Sequence, residues 1–235
     1  MKSPKQAATV IFCFHGSPGS PEDFNSLIKH LENIKVIALP RYTQKGVSSL
    51  DQSVNVNKHF VLGYSWGGVP AIDHAIKNHS STKGIILVSP YLFPTKGKLL
   101  KSISDIPIFG EFLLSVVGNK FINNMLKKSS CPDSVPLEYK KASLTYVSIL
   151  KASINEKLQE ENVIEMLRKI DKLSIPLFLI WGENDLTSRE NTQILPIRVN
   201  AQPILEEKIE NAGHALIFTK PKEVAQIILK MIKIV

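Results

Sequence analysis

One serine in this chain stands where its chemistry could be unlocked. Ser65 lies in Gly63-Tyr64-Ser65-Trp66-Gly67-Gly68, directly after the apolar run Phe60-Val61-Leu62 and at the start of a helical pattern reaching Asn78. A strand, a sharp turn and a helix in that order present the serine hydroxyl at the carboxyl edge of a sheet. The small neighbours have a steric reason. Ser65 must adopt a strained backbone conformation, and a Cβ at position 63 or 67 would collide with the adjoining strand or helix. A serine hydroxyl is a poor nucleophile at neutral pH, so it needs a general base within hydrogen-bond reach and a carboxylate to hold that base in the right tautomer. With both in place, the chemistry would be attack on a carbonyl and transfer of its acyl group.

The base has to be one of six histidines. His30 and His79 read as surface residues at helix ends, and His59 and His74 carry no partner signal. His15 reads as a loop-shaping residue. His214, at the end of Asn211-Ala212-Gly213-His214, follows the last strand pattern, Ile204 to Glu210. The acid should come from the strand before it, Pro176 to Trp181, which runs into Gly182-Glu183-Asn184-Asp185. Glu183 and Asp185 are rivals there, with Asn184 a turn residue between them. Either carboxylate and His214 would emerge at the carboxyl edge of the sheet, the edge that also carries Ser65 and where open α/β sheets place their sites.

The elements that must hold these residues follow from hydrophobic patterning. Apolar β-branched runs at Thr9 to Phe14, Lys35 to Leu39, Phe60 to Leu62, Gly84 to Ser89, Pro176 to Trp181 and Ile204 to Glu210 alternate with helical periodicity. That alternation is the signature of an α/β fold with a parallel sheet covered on both faces. Ser20 to Leu31 reads as a helix capped by Ser20, with Pro21 at its first position and Phe24, Leu27, Ile28 and Leu31 on one face. Trp66 to Asn78 and Lys222 to Ile234 are likewise helical. Ser48 to Lys58 makes a poor helix and reads as an irregular crossover. From residue 91 to about 171 the pattern becomes helical and often apolar, broken at Pro94, Gly97, Pro107, Gly110, Gly118, Pro132 and Pro136. We read it as a helical lid inserted into a core made of 1–90 and 172–235.

These features, as a set, resemble the α/β-hydrolase superfamily: His15-Gly16, Gly63-x-Ser65-x-Gly67, Trp181-Gly-x-x-Asp185 and Gly213-His214. The resemblance implies a mostly parallel sheet of about six strands, a serine esterase or lipase-like branch, and Asp185 rather than Glu183 as the acid. It also implies an oxyanion hole formed by the backbone N–H groups of Ser17 and Trp66. Tyr64 and His15 are candidate substrate contacts, although an aromatic flanking the elbow can equally pack against the sheet. The implied substrate is a small, rather apolar ester or related acyl compound, since the lid is rich in apolar residues, and no metal or cofactor is implied. A serine at the elbow argues against relatives that place Asp there, such as epoxide hydrolases and haloalkane dehalogenases. Proline iminopeptidase-like and C–C bond hydrolases remain alternatives, as does a non-catalytic small-molecule binder on the same fold.

The chain departs from the superfamily pattern before the first strand, where it is too short for two extra antiparallel strands, and at Pro40 to Gly46, which replaces the usual turn. A reduced six-stranded sheet follows. Net charge is +8, from 29 Lys and Arg against 21 Asp and Glu. The lysines are scattered, with no aromatic platform among them, so no nucleic acid partner is expected. No apolar run is long enough to span a membrane. Two cysteines, Cys13 in a strand pattern and Cys131 far downstream, make no disulfide framework, and a cytoplasmic location is expected.

Overall fold

The computed structural model describes residues 9–16, 19–40, 58–93 and 160–235, together with the two short strands at 42–43 and 46–47. Its strands are β1 (Thr9–Phe14), β2 (Ile34–Leu39), β3 (Tyr42–Thr43), β4 (Gly46–Val47), β5 (His59–Tyr64), β6 (Thr82–Val88), β7 (Leu177–Gly182) and β8 (Leu205–Ile209). Six of them form one sheet in the order β2-β1-β5-β6-β7-β8. Every neighbouring pair in it is parallel. The chain begins at β1, steps outward to β2, then returns to the other side of β1 and proceeds strand by strand to β8. That reversal opens a crevice at the carboxyl ends of β1 and β5, where ligands of open α/β sheets bind.

Alternation along each strand sorts the apolar side chains between two faces. Val10, Phe12, Phe14, Val61, Ile85, Leu87, Leu177, Leu179 and Trp181 share one cluster with Val69, Ile72 and Ala75 of helix α2 (Gly68–Lys77). Ile11, Cys13, Phe60, Leu62, Ile86, Val88, Phe178 and Ile180 share the other with Phe24, Leu27, Leu216 and four residues of the C-terminal helix. Both faces of β5 and β7 are therefore dry, which explains the unbroken apolar runs of the central strands.

The remaining helices are α1 (Asn25–Ile28), α3 (Glu160–Lys172), α4 (Leu195–Asn200), α5 (Leu216–Thr219) and α6 (Pro221–Ile232). The helix read over 20–31 is shorter and in two parts: a 3-10 turn at Pro21–Phe24 leads into the single turn of α1. The Ser20 hydroxyl caps no amide there. Its carbonyl instead accepts the Asp23 N–H (3.1 Å), closing a tight turn that carries Asp23 and Phe24 inward. Ile28, expected on the buried face, is 38 % exposed because the helix stops at that residue. Within the irregular turn at 40–46, β3 and β4 form a small antiparallel ribbon. Residues 48–57 of the crossover read at 48–58 and residues 94–159 of the expected lid lie outside the described residues.

The last stretch of that expected lid, α3, packs as part of the core. Val163, Leu167 and Ile170, one helical face, are buried in the same cluster as α2. Each such side chain removed from water contributes about 1.5–3 kcal/mol, and together they seat α3 beside α2 and α4.

Candidate active site

Four strand ends converge at the carboxyl edge, and each delivers one part of the site. β5 ends at Tyr64, and Ser65 follows with φ 54°, the left-handed conformation that the elbow demands. The turn closes only because the chain is thin on both sides. A Cβ on Gly63 would lie 2.5 Å from the Gly68 Cα, and one on Gly67 would overlap the Phe14 carbonyl oxygen at the end of β1. The expected steric role of both glycines is thus met in full. The 3-10 turn Ser65–Gly67 then feeds α2.

β7 ends at Gly182, and the loop after β8 crosses it so closely that a Cβ on Gly182 would overlap the Ala212 carbonyl. Two backbone bonds seal that crossing: Glu183 N–H to the Ile209 carbonyl and Asn184 N–H to the Ala212 carbonyl, both 2.9 Å. These bonds leave Glu183 and Asp185, the two candidate carboxylates, in different surroundings. Glu183 is exposed, and its Oε2 accepts the Asn211 N–H at 3.1 Å, bracing the turn before His214. Asp185 is buried and faces the imidazole.

The resulting chain of contacts is continuous. The Ser65 hydroxyl is 2.8 Å from His214 Nε2, and His214 Nδ1–H donates to Asp185 Oδ2 at 2.9 Å. The other carboxylate oxygen, Oδ1, accepts the backbone N–H groups of Thr187 and Ser188, both at 2.8 Å. Burial by itself would raise the Asp185 carboxyl, but the adjacent His214 and the two amides outweigh it and hold the group below its ordinary value. Asp185 therefore stays ionised where water is excluded, which fixes the Nδ1–H tautomer and leaves Nε2 free to accept the serine proton. Ser188 adds its own hydroxyl 3.3 Å from the same Nδ1.

The flanking residues take up defined positions. Tyr64 is buried within the core cluster beside Phe218, and its hydroxyl donates to the His214 carbonyl at 3.2 Å. His15, also buried, donates from Nδ1 to the Gly16 carbonyl at 2.8 Å and so braces the loop leaving β1. Gly16 of that loop lies against Ser65: a Cβ there would be 3.2 Å from the serine Cβ. Trp66 stacks obliquely on Tyr91, with ring centroids 5.7 Å apart, and the Tyr91 N–H donates to the Ser65 carbonyl at 3.2 Å. Ser17 lies outside the described residues.

The contacts made by four residues were not foreseen. Ser188 could have been suspected from Asp185-x-x-Ser188, the spacing at which an aspartate side chain accepts amides of its own turn. Gln193 is buried in a π-helical turn (Glu190–Ile194), where its Oε1 accepts the Leu92 and Phe93 amides and its Nε2 donates to the Phe93 carbonyl. It thereby ties the segment after β6 to the segment after the acid, a role with no local signature. His59 and His74, read as having no partner signal, meet each other: their Nε2 atoms are 3.3 Å apart. The elbow sends α2 back along β5, so the first residue of the strand faces a later turn of the helix. His30 and His79 are exposed, as their position at helix ends implied.

A model of the family described as serine aminopeptidase, S33 (Hydrolase_4) matches residues 10–220. The chain belongs to this S33 family. Its sheet and elbow are accordingly those of an α/β-hydrolase. Beyond the family itself, Lipase 1 of Psychrobacter immobilis is 24% identical over 233 residues, which take in 88% of this chain and 72% of that protein. Among solved structures, the S33 chain superposes on the epoxide hydrolase CorEH with a TM-score of 0.73 at 19% identity, covering 96% of this chain and 91% of that one. A lipase-esterase related protein from Clostridium acetobutylicum ATCC 824 gives 0.72 at 19% identity, covering 97% and 96%. These likenesses establish the architecture. Among the described residues no three His, Cys, Asp or Glu side chains converge as a metal site would require, and no helix is long and apolar enough to cross a membrane.

Proposed function

We propose that this hydrolase cleaves esters of small, rather apolar substrates through an acyl-enzyme, with Ser65 as nucleophile, His214 as general base and acid, and Asp185 as the residue that orients and charges the base. The observation that carries this reading is the unbroken relay from Ser65 Oγ to His214 Nε2 at 2.8 Å and from His214 Nδ1 to Asp185 Oδ2 at 2.9 Å. His214 takes the Ser65 proton as Oγ bonds to the carbonyl carbon. The oxyanion is received by the backbone N–H groups of Trp66 and Ser17, donors of a kind worth about 2.7–4 kcal/mol each. His214 then gives its proton to the leaving alcohol, and the C–O bond breaks. Water attacks the acyl-enzyme by the same steps in reverse roles, releasing the acid and restoring Ser65.

An apolar substrate suits the aromatic surroundings of the elbow, Trp66 and Tyr91, and the apolar sequence of the proposed 91–171 insert. Tyr64 and His15 shape the site by fixing the His214 loop and the β1 loop. Lipase 1 and the lipase-esterase related protein are named for ester chemistry, in keeping with this reading. The family description favours a second one, cleavage of an N-terminal residue from a peptide. A cytoplasmic location accords with Cys13, which is a free, buried thiol.

A fluorophosphonate probe on wild type and Ser65→Ala tests the nucleophile, and paired p-nitrophenyl esters and aminoacyl p-nitroanilides test the substrate. Labelling of wild type alone, with turnover of short esters far above that of anilides, is expected. Preferred turnover of prolyl or alanyl anilides would replace the ester reading with the aminopeptidase one. Failure of wild type to label would turn the site into a binding pocket.

A further inference from the structure

Ser188 touches both partners of the relay at once. Its backbone N–H donates to Asp185 Oδ1 at 2.8 Å, and its Oγ lies 3.3 Å from His214 Nδ1, the atom that already donates to Asp185 Oδ2 at 2.9 Å. The side chain is buried, so water does not compete for the contact. The Nδ1–H thus has two acceptors, a short one and a longer one, on different residues. We infer that Ser188 is a positioning residue for the base, its amide fixing the acid and its hydroxyl serving as the second acceptor that holds the His214 ring in plane and steadies it when charged.

Two physical consequences separate this role from simple packing. An acceptor at Nδ1 binds the imidazolium more strongly than the neutral ring, because hydrogen bonds from a charged donor are the stronger ones. The hydroxyl therefore favours proton uptake at Nε2, the step in which Ser65 is activated. It also opposes rotation of the ring about its bond to Cβ, which would carry Nε2 away from Ser65. Neither effect involves substrate, so ground-state affinity should be indifferent to it.

The inference rests on the proposed role of His214 as base, and the experiment separates the two. Fluorophosphonate labelling of wild type and Ser65→Ala tests the base and nucleophile reading first; if wild type does not label, or both label equally, that reading fails. With it standing, pH profiles of kcat and KM are measured on a p-nitrophenyl ester for wild type, Ser188→Ala and Ser188→Cys, with thermal melts of each. Ser188→Ala keeps the amide and removes the acceptor; Ser188→Cys keeps the volume with only a weak acceptor. The expected result for both is a kcat lower by about 3- to 10-fold with KM unchanged, and an acid limb moved about half a pH unit down. Should the alanine variant not fold, the cysteine variant alone carries the comparison. A wild-type kcat and acid limb in either folded variant would overturn the inference.

Discussion

Two carboxyl groups are buried in this molecule to almost the same degree, Asp185 at 4% and Asp23 at 3% exposure, and their proton affinities move in opposite directions. Asp185 has every oxygen engaged, by His214, Thr187 and Ser188, and is held below the ordinary carboxylate value. Asp23, under the loop that leaves β1, is raised to about 7, chiefly by burial, with only the Ser20 amide opposing. Among the described residues its Oδ2 has no hydrogen-bond partner. Burial penalises a charge equally in both places, so it is the supply of donors that decides whether the charge survives. At the carboxyl ends of β7 and β8 the chain supplies donors from a turn and an imidazole. Beneath the β1 loop the described residues supply one, the Ser20 amide.

The contrast is broken most strongly at Asp185. Asp185→Asn keeps the shape but can donate to His214 Nδ1, which turns the ring to the tautomer whose Nε2 carries a proton and cannot accept one from Ser65. A fall in kcat of about 10³- to 10⁴-fold is expected with little change in KM. Stopped assays with a p-nitrophenyl ester across pH 5–9 measure it. A loss of less than tenfold would mean that another residue orients the base.

Why the loop that carries Asp185 could be read from the chain as a candidate for the site and Asp23 could not has a physical basis. Ser65 follows β5 directly, and Asp185 and His214 lie in the short loops just beyond the ends of β7 and β8. Position along the strand then fixes the edge at which they emerge, and glycines at 63, 67 and 182 mark where backbones nearly touch. The sheet was legible for the same reason, since period-2 burial and continuous apolar runs are local properties. Gln193, the Ser188 hydroxyl on His214 and the His59–His74 contact depend on what a second segment brings within reach, which no local pattern encodes. The same applies to α3, whose face of Val163, Leu167 and Ile170 reads alike whether it covers a lid or the core. The short α1 differs again, because inward rotation of Asp23 and Phe24 uses up the residues that a longer helix needed.

Asp23 offers a smaller perturbation with the opposite sign. In the unfolded chain its carboxyl loses the proton near 3.8, and in the folded protein near 7. Between those values the folded state holds more proton. The stability associated with the neutral group is thus complete below 3.8 and is lost as pH rises through about 7. Asp23→Asn keeps an acceptor for the Ser20 amide and never ionises. The variant should therefore nearly match wild type at pH 4 and exceed its unfolding free energy by about 4 kcal/mol at pH 8. Urea titrations at the two pH values decide it, and a variant weaker than wild type at pH 8 would show that the charge is compensated.

The imidazoles repeat the lesson at lower amplitude. His214 lies between a hydroxyl and a carboxylate, whereas His74 lies among Phe12, Phe14 and His59, none of which carries a negative charge. Burial first, then His59, push His74 down to about 4 from its usual 6.5, against a weak upward pull from Asp73, which is itself paired with Lys77 at 2.7 Å. Here the unfolded chain takes up the proton first. Stability is complete above 6.5 and is lost as pH falls toward 4, where the folded group also charges. His74 is partly solvated, so the loss is screened to about 1 kcal/mol. His74→Gln retains a polar partner for His59 without a titrating group, and it should flatten the fall in denaturation midpoint between pH 6.5 and 4 while leaving kcat at pH 7 unchanged. An identical acid slope in wild type and variant would transfer the acid sensitivity to other groups. A fall in kcat would instead link the strut under β5 to the elbow that the same strand carries.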